Sequence, residues 1–203
     1  MINDFAVAIR AMQKRGRIRR AMTVDCDVHQ GNGTAAIFGG SGHKAGALPS
    51  SASVAAVELS AANVSSGPAK DVFTISLHQE HNYPYVKPAS SIDVNLPDGC
   101  GDDEYLAWLY NALSSGLRQF EPELICYVAG ADPFREDQLG GLNLTIDGLK
   151  RRDELVFRAA RARSIPVMTT YAGGYANRVE DTVTIHCNTV IAASEVYRGA
   201  AHR

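Results

Sequence analysis

The sequence predicts an α/β fold, a parallel sheet with helices on both faces, and three observations carry that expectation. Short apolar runs around Met22–Val24, Val72–Leu77, Leu124–Val128 and Ile165–Thr170 alternate with longer stretches of helical periodicity. Each run closes on polar groups: Asp27 and His29, Ser76 and His78, Asp132, and the Tyr171-Ala-Gly-Gly-Tyr175 segment. In a parallel sheet such ends gather along one edge, where α/β folds bind their ligands. With 203 residues and 45% apolar content, the chain can bury one sizeable core.

Taken in order, residues 3–15 read as a helix. Asn3 or Asp4 caps it, Phe5, Ile9 and Met12 share a face, and Gly16 ends it. The basic run Lys14, Arg15, Arg17, Arg19 and Arg20 complements the macrodipole at that end. Ala21 to Thr34, AMTVDCDVHQGNGT, opens as a buried strand. If the chain stays extended, Asp25, Asp27 and His29 share one face, since residues two apart in a strand point the same way. Gly31-Asn32-Gly33 then permits a tight turn, and a helix starts at Thr34–Phe38. Residues 39–70, rich in Gly, Ala and Ser, read as a flexible insertion with a short helix near Val54–Ala62, and His43 as an exposed loop residue.

Val72 to His78 is the second strand, and the long segment after it, punctuated by Pro84, Pro88, Pro97 and Gly99, reads as a surface loop. A helix begins at Asp102 or Asp103 with Tyr105, Leu106, Leu109 and Leu113 on one face. Leu124 to Asp132 is the third strand. The helix Asp147–Ala162 follows, with Lys150, Arg151, Arg152, Asp153 and Glu154 expected to face water. Ile165–Thr170 is the fourth strand, and a last helix runs from Asp181 or Thr182 to Tyr197.

Twenty Lys and Arg against 22 Asp and Glu give no electrostatic case for nucleic-acid binding by the domain as a whole. Cys26, Cys100, Cys126 and Cys187 form no CxxC pair and read as reduced thiols. No apolar run reaches membrane-spanning length and the first residues lack a secretory pattern, so a cytoplasmic protein is expected.

An Asp at a strand end is often only the cap of the next helix. Asp27, His29 and Asp132 together, however, offer one nitrogen and two oxygens from separate strand ends. Three protein ligands with an open position is the pattern of a catalytic rather than a structural zinc site. Tyr175, after two glycines, is placed to donate its hydroxyl to a carbonyl oxygen as charge develops there; packing at a helix start is the competing reading.

The motifs DCDVHQGNGT, FTISLHQ, AGADPFREDQLGGLNLTIDGLKRRDELVF and AGGYA, in that order, resemble the zinc-dependent histone deacetylase superfamily, especially its class IV and bacterial branches. The match covers nearly all of the chain outside residues 39–70. The resemblance implies the arginase/deacetylase fold and hydrolysis of an acetylated amine, either acetyl-lysine or a small acetylated amine. It assigns Asp27, His29 and Asp132 to Zn2+ and Tyr175 to carbonyl polarisation. Asp25, Ser76 and Leu77 match the family's structural K+ site. Leu139, Gly173, Gly174 and Tyr83 match the walls of the acyl-lysine channel, and Asp137 matches an acid behind the metal ligands, with a loop cap as the competing reading.

One departure stands out. The family carries two adjacent histidines upstream of the zinc motif, and none of the six histidines here adjoins another. The expectation is therefore a single deacetylase domain spanning 1–203 that lacks its N-terminal part, with its activity in doubt. Two alternatives stay open: a non-catalytic remnant that binds an acetylated ligand or a partner, and a different metallohydrolase of the same fold.

Overall fold

The computed structural model describes residues 2–39 and 71–198. The insertion read over 39–70, from residue 40 onward, lies outside the described residues, as do its short helix and His43. Ten elements follow in chain order: α1 (Asp4–Lys14), β1 (Ala21–Asp25), α2 (Asn32–Phe38), β2 (Val72–Gln79), β3 (Ile92–Leu96), α3 (Asp102–Gln119), β4 (Leu124–Gly130), α4 (Ile146–Arg161), β5 (Val167–Ala172) and α5 (Val179–Arg198).

All five strands are parallel, in the order β3-β2-β1-β4-β5. The chain builds outward from β1 to β2 and β3, then crosses back to lay β4 against the other side of β1. The order therefore reverses between β1 and β4, and the crevice beyond their carboxyl ends is where such a sheet binds ligands. Alternation along the strands feeds two cores. Met22, Val24, Ile75, Leu77, Ile125 and Tyr127 pack beneath α3, α4 and α5. Ala21, Val72, Leu124 and Cys126 meet Ile9 of α1 and Phe38 of α2 on the opposite face. Helices on both faces are what was expected of a sheet whose strands read as continuous apolar runs.

Local chemistry fixes the helix starts. Asn3 Oδ1 accepts from Ala6 N at 2.9 Å at the head of α1. Thr145 Oγ1 accepts from Gly148 N at 2.9 Å at the head of α4 and donates to Asp102 Oδ2 at 2.6 Å. Asp102, Asp103 and Glu104 occupy the first turn of α3, where the macrodipole favours anions. Leu109 of α3 is fully buried in the larger core. Truncating Leu109→Ala should cost about 2–5 kcal/mol, read as a lower denaturant midpoint with an unchanged slope.

Three expectations need correction. The segment after β2 is not a surface loop throughout, because it contains β3, with Ile92, Val94 and Leu96 buried. The proline and glycine punctuation on both sides dominated the sequence pattern, while Asp93 and Asn95 gave the strand a polar alternate face. Asp93 is nevertheless buried, accepting from Gln30 Nε2 at 3.0 Å and Ser90 N at 2.8 Å. Second, β1 stops at Asp25, so residues 26–29 bend rather than continue the strand. Third, Arg152 and Asp153 do not face water; both are fully buried.

Candidate metal centre

The end of β1 is shaped by its own carboxylates. Asp25 Oδ1 accepts from Asp27 N at 3.1 Å, and Asp27 Oδ1 accepts from His29 N at 2.9 Å. Each acid thus folds back on the amide two residues on, an Asx turn repeated, and the regular strand ends there, although the Val28 carbonyl still accepts from Gln79 N at 2.9 Å. Across the crevice, Asp132 follows β4, and its Oδ1 accepts from Val28 N at 2.8 Å. The result brings Asp27, His29 and Asp132 together although their strand positions alone did not require it. Their ligand atoms all lie within 4.8 Å of one another. His29 Nδ1 stands 3.1 Å from Asp27 Oδ1 and 3.4 Å from Asp132 Oδ2. Asp25 is not among the residues whose ligand atoms converge.

Two glycines make the approach possible. Gly173, at φ +60°, follows β5 and lays its backbone on the Asp132 carboxyl, so closely that a Cβ there would fall on Asp132 Oδ2. At Gly130 a Cβ would run into the Asp27 backbone.

The electrostatics describe a site short of positive charge. Burial raises Asp132 to about 6, and the neighbouring Asp27 charge adds to that. Burial also raises Asp25 to about 8, again with help from Asp27. His29 goes up to about 10, because the hydrogen bonds its imidazolium donates to Asp132 and then to Asp27 favour the protonated ring. Burial works to raise Asp27 too, but its bonds to His29 prevail and its carboxyl is lowered. Buried acids of this density require a cation or dense hydrogen bonding. Two carboxylates and an imidazole, partly open to solvent, are a donor set that suits zinc.

The other candidate residues fall around this cluster to different degrees. The Tyr83 ring lies 6.5 Å from that of His29, edge-on, and is well exposed. Leu139 is exposed, its carbonyl accepting from Asn82 Nδ2 at 2.9 Å. Asp137 is buried and joins two loops: its Oδ1 accepts from Leu139 N at 2.8 Å and Gly140 N at 3.2 Å, and its Oδ2 from Tyr175 N at 2.6 Å. Tyr175 itself has its backbone fixed in this way and its side chain mostly exposed. Replacing Asp137→Ala leaves three amides without their acceptor. That should lower stability by about 2–4 kcal/mol and speed hydrogen exchange at Leu139, Gly140 and Tyr175 selectively.

For the cation set, strand pairing puts Asp25 opposite Ser76. Ser76 Oγ is 3.0 Å from His78 Nδ1; the hydrocarbon side chain of Leu77 is buried, and its one oxygen is the backbone carbonyl. Burial drives the His78 imidazole down to about 4. It is a neutral core histidine and does not join His29. Among the described residues, no helix is long and apolar enough to cross a membrane. Sequence reasoning missed Arg152 and Asp153 as inward groups. Their spacing with Leu149, Val156 and Ala160 on the buried face of α4 carried that signal.

Comparison with known proteins bears on the family and the fold. The family profile described as "Histone deacetylase domain" matches residues 1–190. A protein of Picosynechococcus sp. is 38% identical over 97% of this chain and 56% of its own length. Histone deacetylase 2 of Arabidopsis thaliana is 33% identical, over 85% of this chain and 38% of its own. The crystal structure of an acetylpolyamine aminohydrolase from Burkholderia pseudomallei superposes with a TM-score of 0.67 at 22% identity, over 96% of this chain and 50% of that one. The fold is thus shared with that enzyme, while this chain spans about half the length of the proteins it matches.

Proposed function

This chain belongs to the histone deacetylase family, and from that premise we propose that it carries the metal-binding and carbonyl-polarising groups of a zinc-dependent hydrolase of acetylated amines. The observation that supports the reading most is the convergence of Asp27, His29 and Asp132 at the sheet's switch point. These three residues would hold zinc. When bound, zinc supplies Lewis-acid polarisation of an amide carbonyl and of water.

The chain's own residues do the rest. The Asp137 carboxylate fixes the backbone of Tyr175, whose hydroxyl would donate to the amide oxygen as negative charge develops there. Tyr83, Leu139, Gly173 and Gly174 would line the path of an acetylated lysine or a small acetylated amine. Asp25, Ser76 and the Leu77 carbonyl would hold a potassium ion below the site, offsetting the carboxyl group that burial otherwise pushes towards the neutral form.

The test is acetate release from an acetyl-lysine peptide and from an acetylated polyamine by the zinc-loaded chain. Turnover that falls at least a hundredfold in Tyr175→Phe supports hydrolysis, and turnover indifferent to that change contradicts it. A second reading is binding of an acetylated ligand without turnover. It predicts saturable binding of the acetylated peptide with no acetate released.

Metal binding also has a definite pH dependence. With His29 raised to about 10, the metal-free site holds a proton on the imidazole at neutral pH. A metal ion must displace it, so affinity increases as pH rises. Between pH 7 and 8, above the Asp132 value of about 6 and below that of His29, the apparent zinc affinity should rise about tenfold per unit, with about one proton released per ion. Competition titrations at several pH values, with buffers of different ionisation enthalpy, read both quantities.

A further inference from the structure

The buried ion pair on α4 has no part in the chemistry above, yet it reaches the site from below. Arg152 Nη1 donates to the Gly130 carbonyl at 2.6 Å and to the Cys26 carbonyl at 3.3 Å. Cys26 immediately precedes Asp27, and Gly130 lies two residues before Asp132. The last rung joining the two strands is Cys26 N to Val128 O at 3.1 Å. Beyond it the two segments stay close but are joined through side chains, Val28 N donating to Asp132 Oδ1 at 2.8 Å, and the guanidinium bridges their Cys26 and Gly130 carbonyls.

The guanidinium is held in turn. Its Nε donates to Asp153 Oδ1 at 2.9 Å, and Nη2 stands 2.8 Å from the same oxygen as an ion-pair contact without hydrogen-bond geometry. That carboxylate also accepts from the Tyr127 hydroxyl on β4 and from Thr189 Oγ1 on α5, the latter at 2.6 Å. One connected network thus ties β1, β4, α4 and α5 together. A fully buried ion pair is a poor source of net stability, because desolvating two charges consumes most of their attraction. Apolar side chains replacing both members of such a pair are often neutral or stabilising. What the planar, forked donor provides, and an apolar group does not, is a fixed separation between two carbonyls.

We infer that Arg152, oriented by Asp153, is a positioning residue that sets the spacing of the two chain segments bearing the metal ligands. The inference rests on the proposed metal site. Its test compares zinc affinity, by competition with a chromophoric chelator, and the visible absorption of the cobalt(II)-loaded protein. Arg152→Lys and Arg152→Met are measured beside the wild type, with Leu109→Ala as a core variant destabilised away from the strand ends. Arg152→Lys should lose about tenfold or more in zinc affinity, in the range for groups that orient metal ligands, and shift the cobalt bands. Leu109→Ala should keep both readings despite its lower midpoint.

If neither Arg152 variant folds, Tyr127→Phe decides. It removes one hydroxyl from Asp153 and should change affinity and spectrum in the same direction by a smaller amount. Affinity within twofold of wild type and an unshifted spectrum in the folded variants overturn the inference alone. A wild-type chain that takes up no metal overturns the metal reading and this inference with it.

Discussion

Replacing Asp132 with asparagine should abolish metal binding while leaving the fold in place. The amide keeps the carboxylate's shape, and its oxygen can still accept from Val28 N, the bond that closes the crevice. What disappears is the negative charge. Asp132 is buried, so its charge acts in a medium that screens poorly. It is also the largest contributor holding His29 up at about 10. Two consequences follow from one change. Zinc content should fall from about one ion per chain to a trace. Affinity should drop by more than the roughly hundredfold seen when only an orienting partner is lost. The His29 imidazole should also titrate lower in the metal-free protein, and this can be followed by proton–nitrogen correlation spectra. Thermal stability should change little, which separates loss of a ligand from loss of structure. Zinc retained near one ion per chain in Asp132→Asn would remove that residue from the site.

Gly173→Ala should be nearly as damaging, by a different route. At φ +60° any side chain is strained by about 1–3 kcal/mol. The added methyl also lands on the Asp132 carboxyl. That carboxyl cannot swing aside freely, because its other oxygen is bound to Val28 N and the side chain is buried. Either Asp132 leaves its position or the loop ahead of Tyr175 does, so metal affinity should fall at least tenfold. Gly99→Ala is the matched control. Its φ is +76°, but a Cβ there meets nothing within 4 Å. It should show the backbone strain without the loss of metal. Equal metal affinity in Gly173→Ala and Gly99→Ala would mean that the contact with Asp132 is immaterial.

The parts of this molecule legible in its sequence were those written in one-dimensional periodicity. Apolar runs closing on Asp27, Asp132 and the Gly173-Gly174 pair marked both the strands and the edge where they end. Ordered motifs then pointed to Asp27, His29 and Asp132 as candidate metal ligands. Two features were obscured by composition. β3 was hidden because Asp93 and Asn95 interrupt Ile92, Val94 and Leu96, and the prolines nearby read as loop; only the tertiary partners Gln30 and Ser90 explain how Asp93 is buried. Arg152 and Asp153 sat in a dense run of charges and were assigned to solvent by chemistry. Their helical phase, shared with Leu149 and Val156, pointed inward. In both cases position in the pattern was the better guide than polarity.

The bend after Asp25 illustrates a further limit. Extended geometry put Asp25, Asp27 and His29 on one face. The carboxylates themselves end the strand by accepting from amides two residues ahead. The cluster therefore forms because the strand stops, and that depends on side-chain hydrogen bonds that periodicity does not encode.

The most direct test of the metal centre is anomalous diffraction at the zinc edge from crystals of the zinc-loaded protein. The account predicts one peak enclosed by the side chains of Asp27, His29 and Asp132, between the ends of β1 and β4. A peak coordinated elsewhere, or no peak from fully loaded crystals, would contradict it.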